Sequence, residues 1–358
     1  MPRLSPYLAV VVTVPLLLSG CALNELAVHS DSKLSGLIVG DGASSQRAAQ
    51  DTWIAAFQIE HPLATVEYDP VGSGSGREGF QAGASDFTGS DRPFTLDELD
   101  AGGFESCTPG SPVVELPAYL SPIAIVVNVA GVDRLNLDAP TLARIFSGAI
   151  DRWNDPEIAD QNPGLALPAK HINAVHRSDD SGVTENFTEY LHEAAPHDWP
   201  WDPSGIWPVD GGEAAQGTVG VSTAVTNGKD TIGYVDGSQA QGHTTVDVKV
   251  EDGYVPFSAD AAAAAVEASP LESGRADGDL VIELDRKGGQ HGVYPIVLVS
   301  YLIGCESYRD PAKAELVRSY FSWVVSDEAQ QAAAIAAGSA PLSPGLAELA
   351  QAAVDRIH

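Results

Sequence analysis

Leu34-Ser-Gly-Leu-Ile-Val-Gly-Asp-Gly-Ala-Ser-Ser45 runs from a short apolar stretch into a turn rich in Gly and Ser. Residues 34–39 read as a strand, and residues 44–59 place Trp53, Ile54 and Phe57 on one face at helical spacing. A strand that passes through Gly and Ser into a helix leaves the unpaired N–H groups of the first turn at the positive end of the helix dipole. Such an end attracts anions. The same design recurs at Gly72-Ser-Gly-Ser-Gly76 and at Ser178-Asp-Asp-Ser-Gly182. Gly lets a ligand approach the backbone, and Ser adds a hydroxyl donor. One such segment reads equally well as an ordinary Ser N-cap. Three in one chain, with Arg177 and the isolated Asp91 nearby, point to an anion site.

Strands and helices alternate along the rest of the chain, the mark of an α/β fold. Strands are expected at 65–68, 86–90, 171–176 and 231–235, and helices at 141–146, 181–192, 259–268 and 312–337. Residues 269–278 read as a loop. Two long apolar runs, 117–129 and 294–303, are long enough to cross between two domains in opposite directions. The expected organisation is a first lobe at 34–118, a second at 119–293, and a return strand with C-terminal helices at 294–358 that completes the first.

With 358 residues, the chain is long enough for two domains of ordinary size, and 44% hydrophobic against 19% charged residues is globular composition. The formal net charge of −30 argues against nucleic acid and against electrostatic adsorption to anionic lipid. Arg3 and the apolar stretch 8–18 form an export signal too short to span a bilayer. Leu18-Ser-Gly-Cys21 resembles a bacterial lipobox, which implies cleavage before Cys21, a diacylglycerol thioether on it, and a tether over 21–33. An extracytoplasmic location follows. The remaining Cys107 and Cys305 suggest one disulfide, with two free buried thiols as the alternative. No CxxC occurs and the histidines lack ligand spacing, so no metal or other cofactor is expected.

Two enzyme-like patterns fail. Gly74-Ser-Gly-Arg-Glu-Gly79 fits a dinucleotide fingerprint, but the export signal argues against a nicotinamide enzyme. A nucleophile elbow would need Gly at 73 or 71, where Ser73 and Val71 stand. His176 reads as a strand residue rather than a general base.

Longer stretches carry a resemblance. Ile145-Phe-Ser-Gly-Ala-Ile-Asp-Arg-Trp-Asn-Asp-Pro-Glu-Ile158, Asn162-Pro-Gly-Leu-Ala-Leu-Pro168, His176-Arg-Ser-Asp-Asp-Ser-Gly182 and Phe187-Thr-Glu-Tyr-Leu191 resemble the phosphate-binding protein of Pst-type phosphate ABC transporters, the PstS family. Residues 40–45 and 71–76, Phe87-Thr-Gly-Ser-Asp-Arg-Pro93, Trp207-Pro-Val209 and Ile232-Gly-Tyr-Val235 fit the same pattern in the same order. The lipobox and Cys pair resemble the actinobacterial branch. The resemblance implies a type II periplasmic-binding-protein fold, with two α/β lobes, a hinge and a central ligand cleft. It implies a monomer that carries inorganic phosphate to permease subunits and is not an enzyme. It assigns Ser44 and Ser45 to the first helix start, Ser73 to the second, and Ser181, Gly182 and Val183 to the third. Asp91 becomes the acceptor and Arg177 the charged donor, held by Asp179. Asp180 stands where many members have Gly, Val183 where they have Thr, and Ser45 where they have an aromatic residue. Thr184, next to Val183, is the neighbour with a hydroxyl that could stand in for the missing one.

The chemistry of these residue types accounts for selectivity. Phosphate near neutral pH keeps a proton that a carboxylate can accept, whereas sulfate would offer Asp91 only lone pairs. Other readings are a binding protein for a different oxyanion, which should avoid a carboxylate there, and an extracytoplasmic hydrolase, which needs an activated Ser or metal cluster.

Overall fold

The computed structural model describes residues 32–251, 253–284, 286 and 293–358. The export signal, Cys21 and nearly all of the tether lie outside the described residues.

Strand β1 (Ser35–Gly42) leads through a 3₁₀ turn (Ser44–Gln46) into α1 (Arg47–Glu60). Then come β2 (Leu63–Asp69), α2 (Ser73–Gln81), β3 (Phe87–Ser90), α3 (Leu96–Ala101) and the long β4 (Val113–Asn128). The middle of the chain holds β5 (Leu135–Leu137), α4 (Ala139–Phe146), α5 (Pro156–Gln161), β6 (Asn173–Arg177), α6 (Gly182–Ala194), β7 (Glu213–Ala215) and α7 (Gly217–Asn227). It continues with β8 (Thr231–Asp236), β9 (Thr244–Val250), β10 (Gly253–Val255) and α8 (Ala259–Glu267). Strand β11 (Val297–Cys305) precedes α9 (Pro311–Val324), α10 (Asp327–Ala337) and α11 (Pro344–Val354).

The main sheet order is β2-β1-β3-β11-β4-β8-β6-β7. Strand β4 joins its two halves. Val113 to Pro122 pairs antiparallel with β11, and Ile123 to Asn128 pairs antiparallel with β8. Fifteen of its sixteen residues are buried, which is why a nearly continuous apolar run, interrupted only at Glu115 and Ser121 before Asn128, rather than an alternating one encodes it. Among the described residues, strand β11 pairs only with β3 and the first part of β4. Just before it, Ile123 N donates to Ile296 O at 2.7 Å and Tyr294 Oη donates to Ile123 O at 2.8 Å.

The expected C-terminal helix is two helices. Ser326 breaks it, its Oγ accepting from Ala329 N at 3.3 Å as the N-cap of α10. Trp53 locks α1 to α10 through Nε1 donating to Ala329 O at 2.8 Å. The two cysteines form a disulfide, with 5.3 Å between Cα atoms across 198 residues of sequence.

Candidate anion-binding site

Two parallel crossovers, β1 into α1 and β2 into α2, bring their helix starts to one edge of the first half-sheet. Gly72, at φ 106°, turns the chain into α2 and donates its N–H to Gly42 O at 2.8 Å. Ser73 follows, and its Oγ accepts from Asp91 N at 3.1 Å. Asp91 comes directly after β3 and is 3% exposed. Its Oδ1 accepts two hydroxyls, Ser45 Oγ at 2.5 Å and Ser300 Oγ at 2.5 Å. Gln46 Nε2 donates to Ser300 Oγ at 2.7 Å, which turns that hydroxyl's proton toward Asp91. Among the described residues no hydrogen bond reaches Asp91 Oδ2. Burial pushes the Asp91 carboxyl above the ordinary range, while the Ser300 and Ser45 hydroxyls and the charges of Arg177 and Arg77 pull it back in part.

The second half-sheet supplies the facing wall. Ser181 caps α6, its Oγ accepting from Thr184 N at 3.3 Å. Gly182 opens that helix against the first half: a Cβ there would stand 2.5 Å from Asp91 Cβ and 2.9 Å from Ser73 Oγ. Asn186, one turn on, donates Nδ2 to Asp91 O at 2.7 Å. Gly74 N donates to Asp180 O at 3.2 Å. Arg177, at the end of β6, is buried. Its Nε donates to Asp179 Oδ1 at 2.8 Å and its Nη2 to Asp179 Oδ2, a bidentate clamp that fixes the guanidinium plane. Burial raises the Asp179 carboxyl, but the Arg177 hydrogen bonds and charge outweigh it and leave it below its usual range. Gly217 N also donates to Asp179 Oδ1 at 3.0 Å.

The structure therefore gathers Ser45, Ser73, Asp91, Arg177, Asp179, Ser181 and Gly182. Ser44 reaches the opposite wall instead: Thr218 N donates to Ser44 Oγ at 3.2 Å, and Arg177 Nη1 donates to Thr218 Oγ1 at 3.4 Å. The Val183 side chain packs into the core. Thr184 Oγ1 hydrogen-bonds Tyr234 Oη at 2.8 Å behind the helix start, so the Thr184 hydroxyl is already engaged. Asp180 is half-buried, its carboxyl packed between Gly74 and Gly205, where side chains would collide with it. The His176 ring nitrogens lie 2.9 Å from Arg177 O and 3.1 Å from Gly211 O, and the ring stacks on Trp207. This is a strand residue held by main chain, as expected. In the Trp199–Trp207 stretch Trp199 packs against Trp201 and Trp207, while Trp207 also reaches Phe146 and Tyr234 outside the stretch.

Thr218, Ser300 and Asn186 went unread in the sequence. Gln216-Gly217-Thr218 is a fourth turn from strand into helix, hidden because β7 has only three residues. Ser300 is the polar interruption of the second apolar run.

A model of the PBP superfamily domain matches residues 27–328. Phosphate-binding protein PstS 3 of Mycobacterium leprae is 34% identical over 321 residues, covering 85% of this chain and 86% of its own. The chain belongs to the PstS family of phosphate-binding proteins. PstS 3 of Mycobacterium tuberculosis is 33% identical over 84% of this chain and 82% of its own. Among solved structures, a high-affinity periplasmic phosphate-binding protein bound with phosphate at pH 8.5 (PfluDING) matches with a TM-score of 0.73 at 22% identity, covering 88% of this chain and 93% of that one. A phosphate-binding protein from Stenotrophomonas maltophilia matches with a TM-score of 0.71 at 20% identity, over 89% and 94%. These likenesses establish the periplasmic-binding-protein fold. As a PstS family member the chain is a binding protein rather than an enzyme.

Proposed function

We propose that this chain captures inorganic phosphate outside the cytoplasm and delivers it to the permease of an ABC importer. The observation that carries the reading is Asp91. Two hydroxyls converge on its Oδ1, which leaves Oδ2 to accept from a protonated anion between two walls of helix starts. Main-chain N–H groups near Ser44 and Ser45, Ser73, and Ser181 to Val183, with Ser hydroxyls and Arg177, would hold the remaining oxygens. Asp179 keeps Arg177 in place, and Thr218 steadies both Arg177 and Ser44. Sulfate, without a proton, would face Asp91 lone pair to lone pair in a site closed to water.

The lobes of the reading are 34–118 with 294–358, and 119–293, and the middle of β4 with residues 293–296 bends between them. The ladder change at Pro122 and Ile123 supports this division. Closure on the ligand would give the permease a surface to read. The net charge of −30 does not forbid an anion ligand, because dipoles act at contact range while the long-range field is screened over about 8 Å at physiological salt. The protein would be a monomer anchored through lipid on Cys21 to the outer face of the membrane. Mass spectrometry of the N-terminal peptide tests the anchor.

Calorimetric titration of the full chain, purified in detergent and stripped of phosphate, tests the function. Tight one-to-one phosphate binding without sulfate heat is expected. Binding of sulfate or molybdate in preference to phosphate would change the ligand. No oxyanion binding by folded protein would end the reading.

A further inference from the structure

Arg77 lies one turn into α2 behind Ser73 and is 3% exposed. Its Nη1 donates to Ser90 Oγ at 3.0 Å, on the residue preceding Asp91. The guanidinium carbon stands 5.8 Å above the Phe94 ring. Among the described residues its buried Nε has no hydrogen-bond partner and no carboxylate forms an ion pair with it. Other arginines with buried side chains differ: Arg177 pairs with Asp179, Arg275 with Glu115, Glu272 and Asp279, and Arg286 with Glu189. A buried charge without a counter-charge is costly, so this one calls for a partner that comes and goes.

The anion site has that vacancy in its charge balance. Asp91 and Asp179 bring two negative charges against the single positive charge of Arg177, before any anion enters. We propose that Arg77 is a second positioning cation of the phosphate site, matching the charge of Asp91 and of the incoming anion from one helical turn behind Ser73. The inference rests on the phosphate reading above. Arg77 touches no ligand in this account. It acts through Ser90 and through the field at Asp91.

Burial and the neighbouring Arg92 pull the Arg77 guanidinium down to about 10, while Glu98, Glu185 and Asp180 act the other way, so it stays charged at neutral pH. Asp91 is faced by the Ser45 and Ser300 hydroxyls, by Arg177 and Arg77, and by Tyr68 from β2. Both arginines favour its ionised form. Without Arg77, Asp91 takes up a proton at higher pH. A protonated Asp91 donates instead of accepting, and the rejection of sulfate fails.

The test is phosphate and sulfate titration of full-length wild type, R77M and R77K in detergent across pH 5 to 8, with thermal melts of each ligand-free protein. At neutral pH, R77M should bind phosphate about tenfold more weakly, and its loss of phosphate-over-sulfate preference should begin at a higher pH than in wild type. R77K, which keeps the charge, should restore the wild-type pH profile. Ligand-free R77M should still unfold in a single cooperative melt at neutral pH, because Asp91 can take up a proton once its matching cation is gone. A profile unchanged in R77M, an R77K profile shifted as far as that of R77M, or an R77M chain that fails to fold would each overturn the proposal. Wild type that binds no phosphate would instead overturn the reading on which it rests.

Discussion

Replacing Asp91 with Asn tests the acceptor directly. The amide keeps a carbonyl at Oδ1, where it can still accept from Ser45 and Ser300, now 2.5 Å away. That choice of orientation is forced, because an amide NH₂ facing two hydroxyl donors would leave them unpaired. The NH₂ then occupies the place of Oδ2 and points at the anion as a donor. A hydrogen bond to a charged acceptor contributes about 1.5–3 kcal/mol, so phosphate affinity should fall roughly 10- to 150-fold. Sulfate should gain, since a repulsive lone pair has become a donor. Stability should move the other way. Asp91 has its carboxyl raised by burial, so the folded protein binds a proton more tightly than the unfolded chain, and stability falls as pH rises above the ordinary carboxylate range. The ligand-free D91N protein should therefore melt at or above wild type at neutral pH. Calorimetry with both anions, beside a thermal melt, reads all three effects. Wild-type phosphate affinity in D91N with sulfate still excluded would refute the assignment of Asp91 as the discriminating group.

Gly182→Ala places a Cβ 2.5 Å from Asp91 Cβ. It should hold the two walls apart and weaken phosphate binding at least tenfold with little change in melting temperature, and small-angle scattering should show a more open molecule with phosphate present. Reduction of the Cys107–Cys305 bond should lower stability by about 2–5 kcal/mol, read by urea denaturation, while phosphate affinity stays near wild type because the bond touches no site residue. Asp236 is fully buried on β8 and pushed up to about 6, chiefly by burial, with Tyr119 Oη and Ser238 N donating to its Oδ1. Its folded-state value is raised, so it should subtract stability as pH rises from about 4 to about 6. Melts of D236N across that window should show a flatter slope than wild type.

The sequence showed the fold wherever hydrophobic pattern alone carried it. The buried run of β4 is unmistakable because both faces are covered. Short strands with polar neighbours, such as β5, β7 and β10, carry too few residues for a period to appear. The break at Ser326 was readable: Ser followed by Asp327 and Glu328 is a helix start with acidic residues in its first turn. In the site, Ser45, Ser73, Asp91 and Arg177 announced themselves through local motifs. Ser300 and Asn186 did not, because each acts through an atom far away in sequence, 209 and 95 residues from Asp91 respectively. Arg77 was hidden in a glycine pattern that resembled a nucleotide loop, and what marks it is that among the described residues no carboxylate pairs with it and its Nε has no hydrogen-bond partner.

The bond between Cys107 and Cys305 also has a topological consequence. Strands β5 to β10 and helices α4 to α8 all lie between the two cysteines in sequence. A protease that cuts any loop in this stretch leaves both fragments covalently joined. Such a nicked molecule would run as one chain on a gel without reductant and as two with it. Outside the cytoplasm, where proteases are met and thiols stay oxidised, damage in the middle of the chain would be survivable as long as this single staple holds.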